Sequence, residues 1–228
     1  MDDSVTLWYP VGEVSVVRNI PMFTTEYGVA VLVLEKIPYT REAFVRIHSS
    51  MEPEILLGEC VDFCKAAGAE TVYGCGHEYL ENFPIHTAII AMERMKKDLP
   101  VTDCSLQPVQ PHEVDSWRED YNRRMAGIPN GAYLTIRGCQ ELVAKGGCYY
   151  VRKGEETIGL GVVNGDQIDA VASLKAGCGR EVLLALCTAV AGNRVRLEVA
   201  DQNIPAVKLY KSLDFVAKET ISRWYKII

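Results

Sequence analysis

The sequence has no long apolar segment and no leading targeting pattern. Its longest apolar runs are six residues, as at positions 29–34 of the 228, whereas a membrane-spanning helix needs roughly 20. We interpret residues 29–34 as a strand and not as a membrane anchor. A basic region followed by an apolar stretch is not evident after Met1. We therefore expect a cytoplasmic protein without a membrane partner.

The sequence also lacks a basic tract interleaved with aromatic residues. Its formal net charge is −6, whereas proteins that bind nucleic acid neutralise phosphates with clustered lysine and arginine. We expect no nucleic-acid partner.

Paired metal-binding cysteine motifs are missing as well. Eight cysteines are present, but Cys60 and Cys64 are four positions apart and no C-x-x-C pair occurs. Several fall among apolar helical positions, where reduced thiols pack as small hydrophobic groups. We expect no metal, although cysteine number alone leaves a thiol-redox or zinc protein as a third hypothesis.

Composition predicts a globular chain of one or two domains, since 48% of the residues are hydrophobic. Three prolines fall between residues 99 and 111 and interrupt the regular patterns. We place a boundary near residue 101, giving domains at 1–100 and 104–228.

After this boundary the pattern alternates between strands and helices. Strands are predicted at residues 105–110, 148–152, 157–163 and 167–174, and helices at 113–125 and 135–145. Asn164-Gly165 predicts a two-residue hairpin turn between the third and fourth of these strands.

A glycine-containing loop at residues 173–181 then precedes an amphipathic helix. The first amides of a helix lack internal partners and lie at the positive end of its dipole, so they can surround a phosphate. Gly177 and Gly179 would let the backbone approach such a group. An ordinary strand-to-helix turn is the alternative.

Downstream, Arg196 to Val199 reads as a strand, a short helix follows, and Phe215 opens another strand. This order resembles the GNAT superfamily of acyl-CoA-dependent N-acyltransferases. Its motif A, [Q/R]-x-x-G-x-[G/A], matches at both loop glycines but has Leu174 at the Gln/Arg position. Its motif B, N-x-x-A-x-x-[L/F]-Y-x-x-x-G-F, matches except that Asp214 replaces the glycine; the matching residues are Asn203, Ala206, Leu209, Tyr210 and Phe215.

The resemblance implies an α/β (α+β) fold with a GNAT-type mixed central sheet flanked by helices. It implies an acetyltransferase whose acyl-donor substrate is acetyl-CoA. The residues that it places against acetyl-CoA are Val171, Ser173, Lys175, Ala176, Gly177, Cys178, Gly179, Arg180, Asn203 and Ala206. Lysine and arginine in this set would attract the polyanionic CoA locally, although each also suits an ordinary solvated surface.

The resemblance also implies catalytic roles. Tyr210 matches the acid position, and a tyrosine of pKa near 10 can donate to a leaving thiolate; the alternative is a packing tyrosine. Asp169 and, second, Glu198 are candidates for the base, but either could be an exposed strand carboxylate, in which case solvent would take the amine proton. Asn203 would orient the pantetheine arm or a water, or act only as a helix N-cap.

The N-terminal half reads as a truncated copy of the same plan. Strands are predicted at residues 13–18, 28–35, 43–48 and 87–94, with a helix and a strand over 55–76 and a short helix at 78–83. Residues 49–54, in place of the phosphate loop, have no glycine but two carboxylates and a proline. We interpret this half as a degenerate GNAT-like domain that helps to form the acceptor pocket; an independent α/β domain is the alternative.

Two function hypotheses follow. The first is an acetyl-CoA-dependent N-acetyltransferase acting on the amine of a small molecule or peptide, with the acceptor bound by residues 117–133. The second is a non-catalytic acyl-CoA-binding or regulatory protein, which Leu174 and Asp214 favour. Neither the acceptor nor the oligomeric state can be inferred from this sequence.

Overall fold

The computed structural model describes residues 22–228, so the strand predicted at 13–18 lies outside the described residues. The strands are β1 (Met22–Thr25), β2 (Gly28–Val33), β3 (Glu42–Ser50), β4 (Thr71–Cys75), β5 (Ile85–Met95), β6 (Ser105–Pro108), β7 (Cys148–Lys153), β8 (Glu156–Asn164), β9 (Gln167–Ser173), β10 (Arg194–Ala200) and β11 (Val216–Lys226). The α-helices are α1 (Ile37–Thr40), α2 (Pro53–Ala66), α3 (Val114–Met125), α4 (Ile136–Ala144), α5 (Gly179–Ala189) and α6 (Ile204–Ser212), and 3₁₀ turns cover Glu78–Asn82 and Pro111–Glu113.

The predicted elements within these residues are confirmed in type, with small shifts at their ends. The structure adds β1 and α1, which are only four residues long each. The hairpin turn is displaced by one residue, because Asn164 pairs with Gln167 and leaves Gly165 and Asp166 as the turn. Gly165 has a φ of +59°, so the left-handed position falls on the glycine itself.

The described chain divides into two compact units. The larger unit contains Ile89–Glu219, and the smaller contains residues 22–88 together with Thr220–Ile228. Strand pairing accounts for this division. The predicted closing strand of the N-terminal half, β5, pairs with β10 from Met95 to Ile89, and the end of β11 pairs with β4 at Tyr225 and Lys226. Each unit is therefore completed by a strand from the other half of the sequence.

The larger unit has a mixed sheet in the order β5-β10-β9-β8-β7-β6, covered by helices on both faces. On one face α5 packs into a core with β8, β9 and β10; on the other, α3 and α4 pack over β8 and β9. Gly159 and Gly161 let α5 lie directly on β8, because a Cβ at these positions would come within 2.4 Å of Val182 or Leu186.

The smaller unit has the order β1-β2-β3-β4 followed by the end of β11. Helix α2 connects the parallel strands β3 and β4 and fills one core cluster. The loop before α2 has no left-handed glycine: Pro53 is the first helical residue and Met51 is fully exposed. On the other strand face, Phe44 meets Trp224 edge-on with centroids 5.6 Å apart.

The eight cysteines are free, and six of them are buried. Burial raises the pKa of these six thiols to about 11 or 12; they are Cys60, Cys64, Cys75, Cys139, Cys148 and Cys187. Such thiols stay protonated at neutral pH and pack as apolar groups. Within residues 22–228, no group of three or more potential metal ligands comes together, and none of the helices has the length and apolar character needed to cross a membrane.

Candidate active site

Strands β9 and β10 are paired over a short segment and then separate. They run parallel, and within the described chain they pair only at Arg196 with Gln167 and at Leu197 with Ile168. At the same level β9 contains a bulge: Val163 pairs with Ile168 and Val162 with Ala170, so Asp169 is an extra residue. A bulge bends a strand and redirects its side chains. The backbone of β9 beyond Ile168 is thereby freed from its neighbour β10.

A cavity of about 230 Å³ occupies this opening. Its walls come from β9, β10, α6 with its N-cap, and the end of α3 with the loop that follows. The lining residues are Arg124, Met125, Ile128, Ile168, Asp169, Ala170, Val171, Ala172, Ser173, Leu197, Glu198, Val199, Ala200, Asn203, Ala206 and Tyr210. The walls are mainly apolar, with a few polar groups at defined places, which is the usual composition of a small-molecule site.

Tyr210 lies on α6 and is only 7% exposed. Burial raises its pKa to about 12, and Cys187 adds to the shift. The phenol is therefore protonated at neutral pH. Its ring also packs 5.9 Å from that of Phe215, so the acid and packing roles considered for this tyrosine are compatible.

The two candidate bases lie on the two separated strands. Asp169 is buried on β9 and Glu198 is half-buried on β10, and both line the cavity. Neither carboxylate is exposed, so the alternative interpretation of an exposed strand carboxylate does not apply. The charge of Asp169 also acts on Tyr121 of α3, whose pKa is raised first by burial and then by this carboxylate.

Asn203 has the N-cap role that the sequence left open. Its side-chain oxygen accepts a hydrogen bond from the amide of Ala206 at 3.4 Å, at the start of α6. Because both residues also line the cavity, this cap forms part of the wall.

The glycine loop lies beside the cavity, at the start of α5. Gly177 has a φ of +81° and open space where a Cβ would be, and Cys178 is the N-cap of α5. The first amide that bonds back into the helix belongs to Val182, which donates to Cys178, so the preceding amides have no partner in the helical pattern. These amides are therefore available to a hydrogen-bond acceptor outside the helix.

Charges around this loop are partly neutralised. Lys175 forms an ion pair with Glu156, and Glu181 in the first turn of α5 accepts from Lys153 at 2.5 Å. Of the predicted acetyl-CoA residues, the structure brings four into the cavity wall: Val171, Ser173, Asn203 and Ala206. The other six lie in the loop or in the first turn of α5: Lys175, Ala176, Gly177, Cys178, Gly179 and Arg180.

Three cavity residues come from the segment expected to bind the acceptor, although the sequence did not single them out. Arg124 and Met125 end α3, and Ile128 follows in the loop. Helical periodicity alone does not distinguish side chains at the end of a helix that meet a cavity from those that meet solvent.

The departure from motif B at Asp214 has a conformational explanation. Asp214 has a φ of +59°, in the left-handed region that glycine adopts without strain. Aspartate is among the residues that tolerate this conformation best. The replacement preserves the turn between α6 and β11.

Comparison with known proteins gives a clear result for the fold. No family model matches the sequence, and no curated protein matches it. Among solved structures, the chain is similar to a candidate acetyltransferase from Pyrococcus horikoshii, with 12% identity over 88% of this chain and 69% of that one and a TM-score of 0.60. It is also similar to a GCN5-related N-acetyltransferase from Sphaerobacter thermophilus, with 12% identity over 87% and 75% and a TM-score of 0.53.

A third similar structure is a conserved protein of unknown function from Staphylococcus epidermidis. It has 12% identity over 92% of this chain and 94% of that one, with a TM-score of 0.56. At such identities the likeness shows the fold alone. The expected GNAT-type fold is thus confirmed.

Proposed function

We propose that this protein is an acetyl-CoA-dependent N-acetyltransferase acting on the amine of a small molecule or peptide. The observation that carries the proposal is the opening between β9 and β10, where Asp169, Glu198 and Tyr210 line one cavity beside the glycine loop. In acyl transfer to an amine, a protonated phenol can serve as the general acid and a carboxylate as the general base.

The loop and the start of α5 suit the phosphate end of acetyl-CoA. Unpaired amides at a helix N-terminus attract anions, and Gly177 leaves open space beside the backbone. The freed edge of β9 would pair with the pantetheine arm, and one of its amides would hold the thioester carbonyl oxygen. A cavity of 230 Å³ accommodates the reacting groups but not a whole CoA.

In the reaction, the acceptor amine attacks the thioester carbonyl directly. Asp169 or Glu198 accepts the amine proton, directly or through a water. Tyr210 donates a hydrogen bond as negative charge develops on the leaving sulfur; with a pKa of about 12 it remains protonated until that charge forms. The new amide bond replaces the carbon–sulfur bond, and the proton lost by the amine balances the proton gained by the thiolate.

Calorimetric titration with acetyl-CoA tests the proposal. We expect one-to-one binding by the wild type and loss of binding in Gly179→Glu, which puts a carboxylate beside the unpaired amides. A Cβ at this position lies 3.3 Å from Leu209, so Gly179→Gln is the matched control for crowding without charge. Absence of binding by the wild type would refute the proposal.

A second candidate, a non-catalytic acyl-CoA-binding or regulatory protein, is favoured by Leu174. This side chain packs against the core formed by α3 and α4 and provides no polar group to the loop. Acetyl-CoA hydrolysis and transfer assays with a panel of amines separate the two candidates, because only the enzyme would release free thiol in an amine-dependent way.

A further inference from the structure

Arg124 connects the cavity to the glycine loop. It lies in the last turn of α3, lines the cavity, and donates from Nη2 to the backbone carbonyl of Leu174 at 2.6 Å. Leu174 is the first residue after β9, so the guanidinium lies at the entrance of the loop that precedes α5.

Three cations near this entrance already have carboxylate partners. Lys175 in the loop is paired with Glu156, Lys153 is paired with Glu181 and Asp103, and the adjacent Arg123 is paired with Asp120 at 2.9 Å. Among the ion pairs of residues 22–228, none neutralises Arg124. Its positive charge is available to an anion at the loop.

Leu174 leaves one position of the loop entrance without a polar side chain. Its side chain packs into the core under α3 and α4, so position 174 contributes no polar side chain to the loop. The exposed side chain of Arg124 extends from α3 to the backbone carbonyl of Leu174. The Arg124 guanidinium, a hydrogen-bond donor, therefore lies against the backbone of position 174.

We propose that Arg124 binds the pyrophosphate of acetyl-CoA, in place of the polar side chain that position 174 lacks. This inference rests on the proposed function, since it places acetyl-CoA at the loop. A guanidinium has five N–H donors in a planar fork that matches phosphate oxygens. One donor is used by Leu174, and the others remain for phosphate.

Acetyl-CoA binding by Arg124→Met tests the inference. Hydrogen bonds to charged groups contribute enough that their loss weakens binding about tenfold or more, so we expect at least this reduction in affinity by calorimetry. S-acetylpantetheine has no pyrophosphate; its binding, followed by NMR chemical-shift titration, should change less than about twofold. Arg124→Lys keeps the positive charge but not the planar fork of donors. Its affinity for acetyl-CoA should lie between those of the wild type and Arg124→Met.

Arg123→Met is the matched control, since it removes a neighbouring arginine that already has a carboxylate partner. Unchanged acetyl-CoA affinity in Arg124→Met, or an equal loss in Arg123→Met, would overturn the inference. So would an equal loss for S-acetylpantetheine, or an effect confined to the KM of the acceptor amine, which would assign Arg124 to the acceptor. Absence of acetyl-CoA binding by the wild type would instead refute the proposed function on which the inference rests.

Discussion

Arg94 donates a hydrogen bond to the backbone carbonyl of Leu213, 119 positions later in the chain. The guanidinium is buried and also donates to the carbonyl of Met95 at 2.9 Å. Because Leu213 is the C-cap of α6, strand β5 thereby supplies a cation to the negative end of the helix that carries Tyr210. Lys96 does the same for α5, donating to the carbonyls of Thr188 and Val190 at 3.1 and 2.8 Å.

We expect Arg94→Met to destabilise the protein by about 2–3 kcal/mol, since it removes charge-assisted hydrogen bonds and leaves a buried carbonyl unsatisfied. Urea unfolding, followed by circular dichroism, measures this change. The exposed Arg123→Met variant should lose less than about 0.5 kcal/mol. Similar losses in both variants would show that the Leu213 contact contributes little.

Replacing Tyr210 by phenylalanine tests the acid role. We expect Tyr210→Phe to lower kcat about hundredfold or more, because general acid catalysis contributes about 10²–10⁴-fold, while the affinity for acetyl-CoA is retained. Steady-state kinetics and calorimetry on the same preparation separate the two effects. Tyr149→Phe removes the same atom from a residue outside the cavity lining and should keep full activity. A normal kcat in Tyr210→Phe would leave the residue with its packing role only.

The sequence predicted the elements of the larger unit because their patterns are local. Helical periodicity located α5, and the spacing of Asn203 and Tyr210 located α6. The bulge at Asp169 was not predictable, since an extra residue in a strand is defined by its pairing with β8 and not by its own neighbours. The pairing of β5 with β10 and of β11 with β4 was not predictable for the same reason. Nor was the contact of Arg124 with Leu174, which spans 50 positions.

Asp214 provides a test of the left-handed turn after α6. A non-glycine residue in this conformation costs about 1–2 kcal/mol, and less for aspartate, so we expect Asp214→Gly to raise stability by about 0.5–1 kcal/mol. Asp214→Val, which is β-branched, should lower it by more than about 1 kcal/mol. Thermal unfolding of both variants measures these changes. Equal stability of the three proteins would mean that the turn relaxes to another conformation.

Thiol labelling tests the burial of the cysteines together with the location of acetyl-CoA. Cys104 and Cys178 are partly exposed and the other six are buried. An aromatic disulfide reagent at neutral pH should therefore label two thiols in the native protein and eight after denaturation. Because Cys178 precedes the unpaired amides of α5, acetyl-CoA should protect it.

The Cys104→Ala variant makes the protection measurable, because only one reactive thiol then remains. We expect its labelling rate to fall at least tenfold at saturating acetyl-CoA, in proportion to the occupied fraction of the site. Unchanged labelling under conditions where calorimetry detects binding would place the ligand away from the loop.

The buried thiols predict a loss of stability at alkaline pH. Burial raises the pKa of Cys148 from 9.0 to about 12, and Cys139 adds to the shift. Below about pH 9 this thiol is protonated in both the folded and the unfolded chain. Between that pH and its folded pKa only the unfolded chain releases the proton, so the free energy of unfolding falls by about 1.4 kcal/mol per pH unit for this group.

Urea unfolding of the wild type and Cys148→Ala at pH 7.5, 9 and 10 isolates this contribution. The variant should be less stable at pH 7.5, because the lost sulfur leaves a small cavity, but its stability should fall less steeply above pH 9. We therefore expect the gap between the two proteins to narrow by about 1 kcal/mol from pH 9 to pH 10. Parallel curves would contradict this assignment, since they would mean that the thiol has the same pKa in the folded and unfolded chains.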